Sequence, residues 1–250
     1  MTDPKPFLTA EWRYLAMLNY LIEPAVLAPF VPAGTELDSW QGKTFVSVVG
    51  FMFLDTRVLG VAIPWHRDFE EVNLRFYVRR QAADGVRRGV VFIKEIVPRL
   101  AIAATARLLY GEKYVALPMR HSLPMEGTRP THAEYLWKLR GAWHRLRAVP
   151  AGAAVEAAPG SEEEFITEHY WGYSRLRGGG TVEYQVEHPR WRVWQAEAAS
   201  LECDAAALYG TRFAPVLAAK PSSAFLADGS PVTVYRGEKI PLSSHSSIRG

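Results

Sequence analysis

Apolar and polar positions along much of the chain alternate with the two-residue period of β-strands. Trp12–Ile22 is dense in aromatic and aliphatic residues and predicts a strand. Pro24 stops it, and Ala25–Phe30 predicts a helical turn entered through that proline. Pro32-Ala33-Gly34 reads as a turn. Thr44–Leu54 is the strongest strand signal. Val46, Val48 and Met52 fall on one face, and Phe45, Val49, Phe51 and Phe53 on the other. A strand apolar on both sides is covered on both sides, with Gly50 as a bulge or a point of close approach. Glu71–Arg79 alternates cleanly. Val72, Leu74, Phe76 and Val78 form an apolar face, and Glu71, Asn73, Arg75, Tyr77 and Arg79 form the opposite one.

Asp84-Gly85 predicts a hairpin turn, with Gly89–Val97 as the returning strand. Pro98 then opens a predicted helix over Arg99–Leu109, with Gly111 where a C-terminal cap belongs. Tyr114–Met119 resumes extended character, and Ala133–Val149 reads as one or two strands. Pro150–Gly160, rich in Ala, Gly and Pro, predicts a loop. Ser161-Glu162-Glu163-Glu164 has the spacing of a capping box and predicts a helix over Glu162–Tyr170. Gly178-Gly179-Gly180 is a turn between strands, Thr181–Glu187 and Trp191–Ala199 are strands split by Pro189, and Asp228-Gly229 predicts a last hairpin. With no internal repeat and no linker, the expectation is one domain over residues 1–240 and a mobile tail at 241–250.

Composition narrows the class. Of 250 residues, 48% are hydrophobic and 22% charged, enough apolar material for a large core. The net charge is +3, but Lys and Arg are interleaved with acids. The densest group, Arg79, Arg80, Arg87 and Arg88, brackets the Asp84-Gly85 turn and reads as a solvated hairpin tip. No nucleic-acid partner is expected. No apolar run reaches the roughly 18 residues of a membrane span, and the N-terminus lacks an apolar secretory segment. The lone Cys203 cannot pair within the chain and reads as a small buried hydrophobe. Together these point to the cytoplasm.

Much chemistry is missing from the sequence. There is no phosphate-binding Gly-x-x-x-x-Gly-Lys-Ser/Thr loop, no Gly-x-Gly-x-x-Gly, no Gly-x-Ser-x-Gly elbow and no His-Glu-x-x-His. The seven histidines are scattered. No metal and no cofactor is expected.

An ordered set of stretches carries a resemblance. These are Phe69-Glu70-Glu71-Val72-Asn73-Leu74-Arg75-Phe76-Tyr77-Val78, Ala106-Arg107-Leu108-Leu109-Tyr110-Gly111-Glu112-Lys113-Tyr114, Glu168-His169-Tyr170-Trp171-Gly172-Tyr173 and His188-Pro189-Arg190-Trp191. Over roughly residues 10–240 the chain resembles the YqjF-like family of uncharacterised bacterial proteins, domain of unknown function 2071. That family is similar in fold to acetoacetate decarboxylase. The resemblance implies a β-rich α+β fold: a closed, mostly antiparallel β-barrel with a few flanking helices. It also implies a place to look for chemistry. The decarboxylase forms a Schiff base on a lysine from a Pro-Lys-Lys segment. Here the ungapped match is Lys113-Tyr114-Val115, so Tyr114 stands where that lysine should be, and Lys113, one position away, belongs to the other face of a strand. Lys94 is a second amine candidate. Glu71 corresponds to a glutamate that the decarboxylase points into its pocket.

The polar face of Glu71–Arg79 therefore has two readings, a solvent-facing strand or the lining of a barrel. In the second, Glu71 is an acid or base, Tyr114 or Lys113 a catalytic partner, Arg75 an anion clamp, Asn73 and Tyr77 hydrogen-bonding groups, and Arg107 a further contact at the barrel mouth. Three functions stay open: an enzyme acting on a small organic acid or carbonyl compound by acid–base chemistry, a non-catalytic barrel holding a small organic ligand, and a structural or interaction protein with a filled barrel. A homo-oligomer is compatible with each.

Overall fold

A computed structural model of the chain describes residues 6–62, 67–98, 113–176 and 178–240. The helix expected over Arg99–Leu109, its Gly111 cap, Arg107 and the tail from residue 241 lie outside the described residues. Strands dominate: β1 (Pro6–Leu21), β2 (Phe45–Val58), β3 (Phe69–Ala82), β4 (Gly85–Val97), β5 (Tyr114–Ala116), β6 (Met119–Ser122), β7 (Ala133–Leu139), β8 (Ala142–Glu156), β9 (Trp171–Arg175), β10 (Thr181–Glu187), β11 (Arg192–Glu202), β12 (Ser223–Tyr235) and β13 (Glu238–Ile240). The helices are short: α1 (Pro24–Leu27), α2 (Glu162–Thr167), α3 (Ala205–Tyr209) and α4 (Ala214–Leu217). Among the described residues none is long and apolar enough to cross a membrane.

The hydrogen-bonded order is β13-β10-β9-β4-β3-β2-β1-β12-β11-β8-β7-β6, with β5 alongside β4. Pairing is antiparallel except where β4 meets β9 and β5. β10 also pairs with β12, through Val186↔Val234 and Glu187↔Thr233. The path from β10 through β4, β2 and β12 thus returns to β10, while β11, β8, β7 and β6 continue outward as a flap.

The two faces of β2 explain how this arrangement packs. Phe45, Val49, Phe51 and Phe53 join an inner apolar cluster with Leu15, Met17, Phe69 and Trp191. Val46, Val48 and Met52 join an outer cluster with Tyr135, Trp137 and Leu146 of the flap and with Leu208 and Leu217 of α3 and α4. Both faces are therefore dry, as a doubly apolar strand requires. Gly50 lets the flap approach: a Cβ there would lie 2.6 Å from Tyr135 Cδ2 and 2.7 Å from Leu146 Cδ2.

Three local expectations need correction. Residues 150–156 are not loop, because β8 runs to Glu156. Its pairing with β11 slips between Val149 and Pro150 and again between Ala151 and Val155, and such irregular sites tolerate proline and glycine in a strand. Asp228-Gly229 is not a hairpin either but lies inside β12. Gly229 has φ +80°, and a Cβ there would sit 1.9 Å from the Trp12 carbonyl oxygen, so the glycine serves a close crossing against β1 rather than a turn. The arginines around the β3–β4 turn do not simply face solvent. Arg79 meets Glu36 at 2.8 Å, Arg80 meets Glu183 at 3.0 Å and Arg88 meets Asp38 at 2.7 Å, while Arg87 bonds both Asp84 and Glu183.

The capping box forms with a one-residue offset. Ser161 Oγ accepts the Glu164 amide at 3.1 Å. The Glu164 carboxylate reaches back to the Gly160 amide at 2.6 Å rather than to the amide of Ser161. α2 ends at Thr167, before the Tyr170 expected.

One irregularity decides which side chains of β4 face inward. Opposite β3, Leu74 pairs with Lys94 and Arg75 with Phe92, so Ile93 has no partner. This bulge resets the alternation. Val90 and Phe92 face in on one side of it, and Glu95 on the other. Lys94 is turned away and donates from Nζ to the Leu208 carbonyl on α3.

Candidate functional site

Inside the ring of strands is a cavity of about 180 Å³. Its presence argues against a filled interior. Trp12, Phe51, Phe53, Phe69 and Trp191 form an aromatic part of its wall, and Glu71, Asn73, Arg75, Glu95, Tyr114 and His169 supply the polar groups. The solvent-facing reading of the polar face of β3 fails, since Glu71, Asn73 and Arg75 are all buried.

All of the polar groups but His169, which follows α2, come from three adjacent strands. Asn73 pairs across the ladder with Glu95, and Glu95 in turn with Tyr114. Asn73 Nδ2 donates to Glu71 Oε1 at 2.9 Å, and the Tyr114 hydroxyl donates to Glu71 Oε2 at 3.3 Å. Tyr114 also hydrogen-bonds Glu95, so one phenol stands between two buried carboxyl groups. Burial pushes the Glu71 carboxyl up to about 7, against the opposing pull of the Asn73 and Tyr114 hydrogen bonds and the Arg75 charge. Burial, then the charges of Glu71 and Glu95, holds the Tyr114 phenol well above its ordinary value. Tyr114 is therefore a proton-bearing donor at neutral pH, and Glu71 is poised to give or take a proton.

Arg75 is the one arginine or lysine among the described residues that line the cavity. It forms no ion pair within 4.0 Å among the described residues, and its Nε has no hydrogen-bond partner among them. Its nearest contacts are Met17 Sδ, 4.0 Å from Nη2, and the Tyr77 ring, whose centroid is 5.8 Å away. A buried guanidinium without a close carboxylate is costly unless an anion arrives to meet it.

Tyr77 is placed differently from the role expected of it. Its ring is buried against Phe165 and His169, and its hydroxyl is engaged by Ser47 at 2.7 Å, which itself donates to Asn19 at 2.6 Å. Tyr77 supports the wall behind Arg75 and does not line the cavity. Lys113 is also outside it. The side chain is exposed, with Nζ 5.2 Å from the centroid of the Phe30 ring. Lys94 faces the outer layer, where burial lowers its amine. Among the described residues no lysine lines the cavity. Arg107 lies outside the described residues.

Two cavity residues were not anticipated as site residues. Glu95 had a signal, a carboxylate within the apolar run Val90–Val97, but strict alternation gives no hint of the bulge that turns it inward. His169 meets the Tyr77 ring at a tilt of 35° with centroids 4.6 Å apart, and its Nε2 is 3.8 Å from Asp38 Oδ2. Burial holds the His169 ring down to about 4, against the opposing effect of Asp38, so it is neutral at pH 7. Burial tends to raise Asp38, but His169 and Arg88 outweigh it and bring it to about 2. Cys203 lies away from this cavity. Burial, and then Asp204, pushes its thiol up to about 11, which removes it as a nucleophile at neutral pH. Among the described residues no cluster of three His, Cys, Asp or Glu side chains is arranged to hold a metal ion.

Comparison with known proteins gives a consistent picture. A family model described as an uncharacterized conserved protein, DUF2071, matches residues 9–231. The uncharacterized protein YqjF of Bacillus subtilis (strain 168) is 26% identical over 192 residues, covering 75% of each chain. Among solved structures, acetoacetate decarboxylase from Legionella pneumophila superposes with a TM-score of 0.65 at 14% identity, over 94% of this chain and 87% of that one. The enduracididine biosynthesis enzyme MppR, complexed with pyruvate, superposes with a TM-score of 0.68 at 13% identity, over 98% and 93%. At such identities the likeness is one of fold.

Proposed function

The chain belongs to the DUF2071 family, and we propose that it is a small-molecule-pocket enzyme that moves a proton on a small organic acid or carbonyl compound inside a barrel. The barrel is our reading of the ring of strands that β10 and β12 complete. The observation that carries the proposal is the placement of Glu71, buried with a carboxyl near neutrality, and Arg75, a buried cation that forms no ion pair within 4.0 Å among the described residues, on one wall of one cavity.

In this reading Arg75 holds the carboxylate of the ligand. Glu71 removes or returns a proton at the carbon next to the carbonyl. Tyr114, kept protonated by its surroundings, donates a hydrogen bond to the oxygen on which charge develops. Schiff-base chemistry of the decarboxylase type finds no amine among the described residues of the cavity, since the resemblance sets Tyr114 at the lysine position and neither Lys94 nor Lys113 lines the space. MppR is recorded with pyruvate, and an acid of that size fits a space equal to the share of on the order of six liquid waters.

The test is exchange of carbon-bound hydrogen for deuterium in small keto acids, followed by proton NMR in heavy water. The wild-type protein is expected to accelerate exchange, and Glu71→Gln to slow it by about 100-fold or more. Equal exchange by wild type and variant would remove Glu71 from the chemistry. Saturable binding without exchange would make the protein a non-catalytic binder.

A further inference from the structure

The cavity changes character along its length, and this bears on what the acid carries. Across the β2–β3 ladder, Phe53 pairs with Phe69, Phe51 with Glu71, Val49 with Asn73 and Ser47 with Arg75. Every second residue of β3 from Phe69 to Arg75 lines the space. The wall thus passes from aromatic through a carboxyl and an amide to a cation. Six residues at roughly 3.4 Å each separate the two ends along the backbone.

The aromatic end is a built cluster. Phe53 and Phe69 stack with centroids 4.7 Å apart and planes 12° from parallel. Trp12 meets Phe51 at 5.5 Å, Phe53 at 5.8 Å and Trp191 at 6.4 Å, each with its edge toward a neighbouring ring. These rings brace one another and border the void without filling it. Aromatic side chains that merely closed a core would interdigitate until no such space remained.

We propose that the acid this cavity takes carries a bulky apolar substituent, an aryl or branched alkyl group, seated among Trp12, Phe51, Phe53, Phe69 and Trp191 while its carboxylate meets Arg75. The proposal rests on the reading of Arg75 as the anion anchor. Glu71 then falls between the two ends, beside the carbon atoms that link substituent to carboxylate. A ligand lacking the substituent leaves the aromatic end wet, and one lacking the carboxylate leaves Arg75 without its anion.

Calorimetric titration with propionate, 3-phenylpropionate and 3-phenylpropanol tests this on the full chain. 3-Phenylpropionate is expected to bind about tenfold to a hundredfold more tightly than propionate, the worth of burying a phenyl ring. It should also outcompete the uncharged alcohol. Phe53→Leu and Phe69→Leu, which keep the wall apolar, are each expected to reduce the ratio of the two acid affinities by at least threefold, with circular dichroism confirming the fold. Arg75→Met should weaken both acids and leave the alcohol unaffected. Propionate binding as tightly as 3-phenylpropionate would overturn the substituent while leaving Arg75 as anchor. Neither acid binding would overturn the anchor and the substituent together.

Discussion

Replacing Glu71 by glutamine should make the protein more stable in mild alkali, and by an amount the structure sets. The folded protein holds this carboxyl near 7 against an ordinary value of 4.5, so it favours the neutral form. The unfolded chain has no such preference. Stability is therefore lost as pH rises from 4.5 to about 7, and above that range the loss is constant. At about 1.4 kcal/mol per unit, the full penalty is roughly 3 kcal/mol. Glutamine cannot ionise and avoids it. It also exchanges one acceptor for a donor against Asn73 and Tyr114, which costs about 1 kcal/mol at any pH. The variant should be slightly less stable than wild type near pH 5 and about 2 kcal/mol more stable near pH 8.5. Urea denaturation followed by tryptophan fluorescence measures the gap at both values, and every other titrating group cancels in the difference. A gap that does not change with pH would refute the reasoning, because it would mean that Glu71 ionises as freely in the folded protein as in the unfolded chain.

Asp38→Asn should cost about 1 to 2 kcal/mol at neutral pH, discounted for partial solvent screening, and leave Arg88 without its carboxylate. Because Asp38 is depressed from 3.8 to about 2, its contribution is present above pH 3.8 and fades as pH falls toward 2, so denaturation curves of wild type and variant should converge there. Gly229→Ala should lower stability by more than about 2 kcal/mol, since the new Cβ meets a backbone oxygen and φ is positive; a denaturation midpoint within error of wild type would contradict that. Borohydride reduction in the presence of small keto acids should leave the intact mass unchanged, and an adduct mapping to Lys94 or Lys113 would restore amine chemistry to the protein.

The parts of this molecule legible in its sequence are those governed by strict periodicity. β2 announced two dry faces through unbroken apolar residues, and its faces separate into the two apolar clusters. β3 declared a polar face with clean alternation, although alternation alone could not say whether that face met water or a cavity. What resisted reading were departures from the period. The strand character of residues 150–156 is hidden under a composition typical of loops, and Asp228-Gly229 imitates a hairpin while serving a close backbone crossing. Glu95 faces inward only because of an unpaired residue two positions earlier. Tyr77 shares the face of Arg75, yet its hydroxyl is claimed by Ser47, a partner 30 residues away that no local pattern reveals. His169 reaches the cavity from beyond α2, so its meeting with Tyr77 and Asp38 is a product of tertiary folding alone.

The unpaired Ile93 makes strand register, rather than residue identity, the control on what the cavity contains. Lys94 and Glu95 are neighbours in sequence on opposite sides of one wall, and their sides depend on that single residue standing outside the ladder. Pairing the strand straight with Ile93 kept in the ladder would bring Lys94 inward and turn Glu95 outward, whereas removing Ile93 would straighten the strand and leave both where they are. A shift in how this strand pairs would thus carry the cavity between carboxylate and amine chemistry with every residue unchanged, a route that comparison of aligned residue types would not detect.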